Sequence, residues 1–393
     1  MKQIPRVLGR SVLACVAATG LAAGSAAQAG GVELPSTVIW SAYPTGSMGY
    51  SQAVGIGSVM QNEYGVNLRV IPGRNDIARL SPLRAGRVHF AAGGSEATYA
   101  QEGLMNFGTQ GWGPQPIRIG LWSLDDGCSY TLLTTEESGI ETIEDVRGKR
   151  VTYVQGSPTL NNGIAALLAY GGMTWDDVEK VEVGGYMGTV EALIEGRSDV
   201  KGGNCSSPPS VRIASSPRGL SFISFPHDDE EAIARVQAQS PWYYPHIARR
   251  GPGIDSDEGI ELFSSPYPVL TMMAEQDPDL VYNMIKAMVE HHEDYKDSAP
   301  GAEGWALDRQ GLEIAFTPFH EGAVRYFKEV GVWTEEAERR QQENLRRQEL
   351  LQQAWADFTE DAPVNEEAFN RGWMEYRAEV LKEEDLPVIM ERW

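Results

Sequence analysis

The chain uses one structural pattern twice, and the second copy follows the first by about 110 positions. Gly46-Ser47 recurs as Gly156-Ser157, and Gly86-Arg87 recurs as Gly196-Arg197. In each copy a short β-branched run leads into a Gly/Ser turn, and residues with the apolar spacing of a helix come next. Strands and helices that alternate in this way predict parallel βαβ units. Two copies predict two α/β lobes around a small ligand, because ligands of open parallel sheets bind at the carboxyl ends of the strands.

The first 29 residues have the features of a secretory signal peptide. Three basic residues precede an apolar stretch, 11–21, that is too short to span a bilayer, and Ala27-Gln28-Ala29 matches an A-x-A cleavage site. We expect cleavage after Ala29 and a periplasmic protein. Acylation at Cys15, which would make a lipoprotein, is the less favoured alternative.

The charge of the chain argues against two classes of partner. The formal net charge is −22, and removal of Lys2, Arg6 and Arg10 with the signal peptide changes it to −25. Nucleic acids select basic protein surfaces, so a chain this acidic disfavours them. The same charge disfavours binding to an anionic membrane surface.

Most enzyme signatures are missing from the sequence. There is no Walker phosphate loop, no H-E-x-x-H and no C-x-x-C, so we expect no metal and no cofactor. Gly93-Gly94-Ser95-Glu96-Ala97 nearly matches a nucleophile elbow but lacks the final glycine, and His89 is the nearby candidate for a base. An exported hydrolase that uses Ser95 therefore stays as a rival from another functional class, while our expectation is that the protein is not an enzyme.

Cys128 and Cys205 remain after removal of the signal peptide. In an oxidising compartment such an even pair is a candidate disulfide. Two unpaired, buried cysteines are the alternative.

The order of the elements predicts a division into lobes. Residues 30–130 together with 245–333 are expected to form the first lobe, 131–244 the second lobe, and 334–393 a C-terminal helical extension. The extension is rich in Glu, Gln and Arg and carries narrow apolar stripes, which predicts two or three amphipathic helices. We expect the first half of the extension to be a charged, solvated face; a surface for a partner, as in a sensing or scaffold protein, is the alternative.

The two Gly/Ser turns are the strongest candidates for ligand contact. Glycine allows close approach of the backbone, and the first amides of the following helix lack partners within the helix. Such amides bind a carboxylate or phosphate without a buried lysine. Thr45, Ser47, Ser157 and Thr159 add hydroxyl groups at these turns. Simple capping of the two helices is the alternative.

Other polar and aromatic residues flank these turns. Tyr43 and Tyr50 stand on either side of the first turn, and each is a candidate for ligand contact. Arg74 and Asn75 follow the second strand, and Arg74 is the expected bidentate partner of a carboxylate. A surface ion pair is the alternative for Arg74.

Several segments together resemble a known family, the TAXI class of solute receptors of tripartite ATP-independent periplasmic (TRAP) transporters. They are Tyr43-Pro44-Thr45-Gly46-Ser47-Met48-Gly49-Tyr50, Pro72-Gly73-Arg74-Asn75-Asp76, Leu83–Phe90, Asp145–Val151, Gln155-Gly156-Ser157-Pro158-Thr159 and Phe319-His320-Glu321-Gly322-Ala323. The resemblance implies a type II periplasmic binding protein fold with two lobes, a hinge and a cleft between the lobes.

The resemblance also implies a function. The chain would capture a small carboxylate or amino-acid-like solute and deliver it to integral-membrane subunits that an ion gradient drives. The ligand loops of the family correspond here to Thr45–Gly49, Asn75, Gly94-Ser95, Ser157–Thr159 (with Pro158 at its centre) and Gly203-Asn204. A receptor of similar fold that feeds an ATP-driven importer for a heterocycle or sulfonate is the alternative within the class.

Overall fold

The computed structural model describes residues 31–391, so the signal peptide and Cys15 lie outside the described residues. The twelve strands are β1 (Thr37–Ala42), β2 (Asn67–Pro72), β3 (Phe90–Gly93), β4 (Ile117–Trp122), β5 (Thr131–Thr134), β6 (Arg150–Val154), β7 (Glu179–Val183), β8 (Lys201–Gly203), β9 (Ser221–Phe222), β10 (Tyr244–Ala248), β11 (Ile260–Ser264) and β12 (Val269–Met273). The α-helices are α1 (Met48–Tyr64), α2 (Asp76–Arg84), α3 (Glu96–Glu102), α4 (Pro158–Tyr170), α5 (Tyr186–Ile194), α6 (Pro208–Ala214), α7 (Glu230–Gln239), α8 (Pro278–Glu290), α9 (His292–Tyr295), α10 (Glu321–Glu329), α11 (Glu335–Glu360) and α12 (Glu366–Glu383).

The sheets of the two lobes have the same strand order. The first lobe has the order β2-β1-β3-β12-β4, in which β1, β2 and β3 are parallel and β12 is antiparallel to both of its neighbours. In the second lobe β6 and β7 are parallel, β5 lies antiparallel between β8 and β9, and a bridge from Val151 to Val200 joins the two groups. The resulting order, β7-β6-β8-β5-β9, repeats that of the first lobe and agrees with the predicted internal repeat.

The equivalent turns also match in backbone conformation. Gly46, after β1, has φ of +83°, and Gly156, after β6, has φ of +70°. Gly86 follows α2 and Gly196 follows α5, the second helix of each copy, with φ of +63° and +72°. A side chain is strained in this region of φ, so glycine at these positions lets the chain turn from strand to helix and back.

Each lobe has its own apolar core, and the chain passes twice between the lobes. Residues 123–130 lead from β4 into β5, and residues 265–268 lead from β11 back into β12. Ala248, Leu262 and Phe263 of the β10–β11 ribbon are buried in the core of the second lobe. We therefore propose that the second lobe comprises residues 131 to about 264 rather than 131–244. The first lobe would then comprise residues 30–130 and about 265–333, followed by the extension 334–393.

The C-terminal extension consists of two helices, as the apolar stripes predict, but the first half of α11 is not simply a solvated face. Gln341, Asn344, Arg347 and Gln348 are buried against the first lobe. The Arg347 guanidinium donates to both carboxylate oxygens of Glu102, at 2.5 and 3.0 Å. Because these polar groups have specific partners in the lobe, their hydrogen bonds are satisfied although they are buried. The spacing of apolar residues could not reveal this contact, since the buried groups are polar.

Candidate functional site

A small buried cavity lies between the two lobes, at the carboxyl ends of the strands. Its volume is about 30 Å³, which is room for about two water molecules or one small polar group such as a carboxylate. Both crossing segments and both sets of strand ends contribute to it. Its lining residues are Tyr43, Gly94, Ser95, Ser129, Tyr130, Thr159, Leu160, Tyr186, Asn204, Tyr243, Ser265, Pro266 and Tyr267.

Five of the residues that line this cavity are tyrosines: Tyr43, Tyr130, Tyr186, Tyr243 and Tyr267. Burial raises the pKa of the Tyr186 phenol to about 12 and raises the pKa of the other four phenols as well. All five are therefore protonated at neutral pH, and each hydroxyl can donate or accept a hydrogen bond. Aromatic rings with protonated hydroxyls suit a small ligand that has both flat and polar surfaces.

Asn204 is the most informative polar group in the wall. It is 6% exposed, and its Nδ2 is buried with no hydrogen-bond partner in the part of the chain that the structure describes. A buried donor without a partner is costly, so this amide indicates a site for a ligand acceptor. Two hydroxyls of the wall are already paired, because those of Ser129 and Ser265 lie 2.8 Å apart.

Two glycines in β8 make room for the groups behind the cavity. A Cβ at Gly202 would overlap the Tyr130 hydroxyl, and a Cβ at Gly203 would lie 2.6 Å from Nζ of Lys201. Gly203, predicted as a ligand residue, thus does not line the cavity itself. It leaves space for the side chains that shape the wall next to Asn204.

A buried cluster of charged groups in the first lobe contacts the second lobe beside the cavity. Arg79 donates from Nη2 to Asp76 at 2.6 Å and from Nε to Glu96 at 2.8 Å. Its guanidinium carbon lies 3.6 Å from the centre of the Tyr43 ring, a cation–π contact. Glu96 also accepts from the backbone amide of Gly94 and, at 3.3 Å, from Thr159 of the second lobe.

The amino end of α4 already holds a carboxylate from the protein. Ser157 donates its hydroxyl to Asp76 at 2.6 Å, and the backbone amide of Thr159 donates to the same carboxylate at 2.7 Å. Pro158 occupies the first helical position, where a missing N–H costs no helical bond. Burial raises the pKa of the Asp76 carboxyl, and the Arg79 guanidinium opposes that rise. The turn at Ser157–Thr159 therefore contacts a carboxylate, but this carboxylate belongs to Asp76 of the protein and not to a ligand.

The turn after β1 takes a different role from that of the turn after β6. Thr45 and Gly46 are exposed, and Ser47 caps α1 by accepting from the amide of Tyr50 at 3.3 Å. Tyr50 itself lines a shallow groove on the outside of the first lobe. Gly49 packs behind the cavity, where a Cβ would lie 2.8 Å from the Tyr267 hydroxyl. None of these five residues lines the cavity.

The predicted residues after β2 hold the lobes together. Asn75 caps α2 through the amide of Ala78 at 2.8 Å and donates to the carbonyl of Gln155, in the second lobe, at 2.9 Å. The Arg74 side chain is exposed and does not line the cavity, while its carbonyl accepts from the amide of Tyr186 at 3.2 Å. The buried guanidinium at this place is that of Arg79.

Of the fifteen predicted ligand residues, the structure places five in the cavity wall: Tyr43, Gly94, Ser95, Thr159 and Asn204. Sequence reasoning missed the cluster formed by Asp76, Arg79 and Glu96 and four of the five tyrosines, namely Tyr130, Tyr186, Tyr243 and Tyr267. The spacing of Asp76 and Arg79, three apart at the start of a helix after a sheet strand, is the signal that could have pointed to the cluster.

The geometry does not support a hydrolase that uses Ser95 with His89. His89 precedes β3, whereas Ser95 follows its carboxyl end, so the strand separates the two side chains. Nδ1 of His89 instead accepts from the amide of Ile39 at 3.0 Å. Within residues 31–391 no group of three His, Cys, Asp or Glu side chains could hold a metal ion. In the same range, no helix combines the length and apolar character needed to cross a bilayer.

Cys128 and Cys205 are joined in a disulfide next to the cavity, and their Cα atoms lie 5.5 Å apart. Cys128 belongs to the first crossing segment, and Cys205 directly follows Asn204. The bond therefore ties the crossing segment to the loop that carries the unpartnered amide.

Two α/β lobes of equal strand order, with two crossings and a cavity between them, define the type II periplasmic binding protein fold, here with added C-terminal helices. A protein from Bordetella bronchiseptica RB50 is 15% identical over 69% of this chain and 77% of its own, with a TM-score of 0.44. The alkanesulfonate-binding protein SsuA from Xanthomonas axonopodis pv. citri is 12% identical over 68% and 78%, with a TM-score of 0.43. No curated protein sequence matches significantly. The chain belongs to the NMT1-like family, whose model matches residues 42–331.

Proposed function

We propose that this chain is an extracytoplasmic solute-binding receptor of an importer. The observation that carries the proposal is the buried Nδ2 of Asn204, which has no partner among residues 31–391 and lies in the wall of a cavity between two lobes. Such a donor suits a receptor that closes on its ligand, because the ligand then supplies the acceptor that the amide lacks.

The solute is a small molecule with a hydrogen-bond acceptor, and a carboxylate or amino-acid-like compound meets this condition. The five protonated tyrosines and the Asn204 amide would provide its polar contacts. Tyr43, Gly94, Ser95 and Thr159 complete the proposed ligand contacts. Among residues 31–391 no arginine lines the narrow cavity, so the acceptor would be held by neutral donors.

A thermal-shift screen of the purified mature protein against organic acids, amino acids and sulfonates tests this function. A ligand that binds only the folded state raises the melting temperature. We expect Asn204→Ala to weaken binding of any hit about tenfold, the typical value of one buried hydrogen bond. The matched control is Asn62→Ala, on the exposed face of α1, which should bind like the wild type. Failure of every solute to shift the melting temperature would refute the proposal.

For the membrane partner we propose the subunits of a TRAP transporter, on the strength of the sequence resemblance. Uptake of the identified solute by cells would then stop when an ionophore collapses the ion gradient. Uptake that survives the ionophore but stops on depletion of ATP would refute the TRAP assignment and support the ATP-driven alternative. Export is part of the same proposal, and an amino terminus at Gly30 in periplasmic protein would support it.

A further inference from the structure

A second, larger cavity adjoins the narrow one. Its volume is about 290 Å³, and it shares Gly94, Ser95, Tyr243 and Pro266 with the narrow cavity as common walls. We call this larger space the chamber. The four shared residues place the chamber next to the tyrosine-lined cavity, so one molecule could occupy both spaces.

The wall of the chamber is mainly aromatic and aliphatic. Trp122 lines it from the carboxyl end of β4, and Trp242 and Phe316 meet edge to face with ring centres 5.8 Å apart. Trp122 is 2% exposed, and its indole Nε1 has no hydrogen-bond partner among the residues described. An apolar wall with one free buried donor suits a largely apolar group that carries a single acceptor.

The C-terminal extension contributes to the mouth of the chamber. Arg340 of α11 lines it, held by the Glu313 carbonyl at 3.1 Å and by Glu343 at 3.3 Å. Ile314, 49% exposed, lies at the same mouth. Arg340 lies beyond the segment that matches the family model, which ends at residue 331. The chamber is thus partly built by a region outside the common family segment.

From these contacts we infer that the solute has two parts: a small polar head in the tyrosine-lined cavity and a flat, apolar body, aromatic or cyclic, in the chamber. This inference rests on the proposed function. An apolar cavity of roughly 150 Å³ binds benzene. The chamber, at about 290 Å³, has room for a ring and its substituents. A simple amino acid such as glutamate would leave this space unfilled.

Calorimetric titration with two matched pairs of probes tests the inference: acetate against phenylacetate, and acetamide against phenylacetamide. Each pair keeps the head and adds the ring. We expect the phenyl compound of at least one pair to bind ten- to a hundredfold more tightly than its partner, because the ring is buried against the chamber wall.

Two variants locate the ring. Ala315→Trp fills the chamber from a buried position, and Ile314→Trp narrows its half-exposed mouth without replacing a buried side chain, so it keeps the test valid if the first variant does not fold. Both should reduce the preference for the phenyl compound below threefold. Val54→Trp, at a 44% exposed position on α1, is the matched control and should keep it.

The possible outcomes separate the two proposals. Equal binding within both pairs, or a preference that neither chamber variant changes, overturns the two-part ligand while the receptor function stands. Failure of all four probes, with binding of another solute in the thermal-shift screen, overturns it in the same way. If no solute binds in either experiment, the proposed function fails together with the inference.

Discussion

Replacing Lys201 by methionine should stabilise the protein at neutral pH. Lys201 is fully buried in β8, where its ammonium donates to the Gly202 carbonyl at 2.6 Å and lies 4.9 Å from the centre of the Tyr186 ring. No carboxylate among residues 31–391 forms an ion pair with it. Burial therefore lowers the pKa of the Lys201 amine from 10.5 to about 7.

The size of the effect follows from this shift. Between pH 7 and pH 10.5 the unfolded chain binds a proton that the folded protein lacks, so the free energy of unfolding rises with pH across this window and is flat below it. At 1.36 kcal/mol for each pKa unit, the lowered pKa costs about 4 to 5 kcal/mol at neutral pH. The lost hydrogen bond to Gly202 removes about 1 kcal/mol of the gain. Lys201→Met should then be more stable by about 2–4 kcal/mol at pH 7 and by less than about 1 kcal/mol at pH 10.

Urea unfolding of both proteins at pH 7 and pH 10 measures the two differences. Lys180→Met is the matched control, because Lys180 is exposed in β7. It should change the free energy of unfolding by less than about 0.5 kcal/mol at either pH. If Lys201→Met is less stable than the wild type at pH 7, or if its gain is equal at both pH values, the ammonium is stabilised in the folded protein and the reasoning is wrong.

Three further variants, two single and one double, probe the elements around the cavity. Ser47→Ala removes the cap of α1 and should lower the free energy of unfolding by about 1 kcal/mol in urea, with ligand affinity unchanged. Arg79→Met leaves two buried carboxyls without their cation and should cost about 3–5 kcal/mol in the same assay; a cost below about 1 kcal/mol would contradict the buried ion cluster. Cys128→Ser with Cys205→Ser should cost about 2–5 kcal/mol. Two reactive thiols in denatured, unreduced mature protein would contradict the bridge.

The architecture could be predicted from the sequence because it follows from local patterns repeated along the chain. The β-branched runs and the glycines at Gly46, Gly86, Gly156 and Gly196 each mark the start or end of an element. Two copies of one pattern then give two sheets of equal order. β5 and β12, which are antiparallel to their neighbours, are the strands that follow the two crossings of the chain between the lobes.

The site was harder to predict because its groups are far apart in sequence. That a turn such as Ser157–Thr159 attracts an anion can be inferred from a helix start, but which anion arrives depends on packing between lobes. Here the anion is the carboxylate of Asp76, which lies 81 positions before Ser157 and accepts a hydrogen bond from its hydroxyl. For the same reason Arg74 was predicted to be the cation that binds the ligand, whereas Arg79, five residues later in α2, is the arginine that is buried.

A covalent bond supports one side of the cavity, whereas hydrogen bonds join the two lobes beside it. This difference affects how the site could open. On the side of the second lobe, the Cys128–Cys205 disulfide fixes the Asn204 loop to the crossing segment. Between the lobes, by contrast, the contacts of Asn75 and Asp76 with residues 155–159 are hydrogen bonds. Hydrogen bonds to water can replace them at small net cost, while the disulfide persists. If the lobes separate, we therefore expect the half of the site that carries Asn204 to keep its shape and the side that carries Asp76 to move away from it.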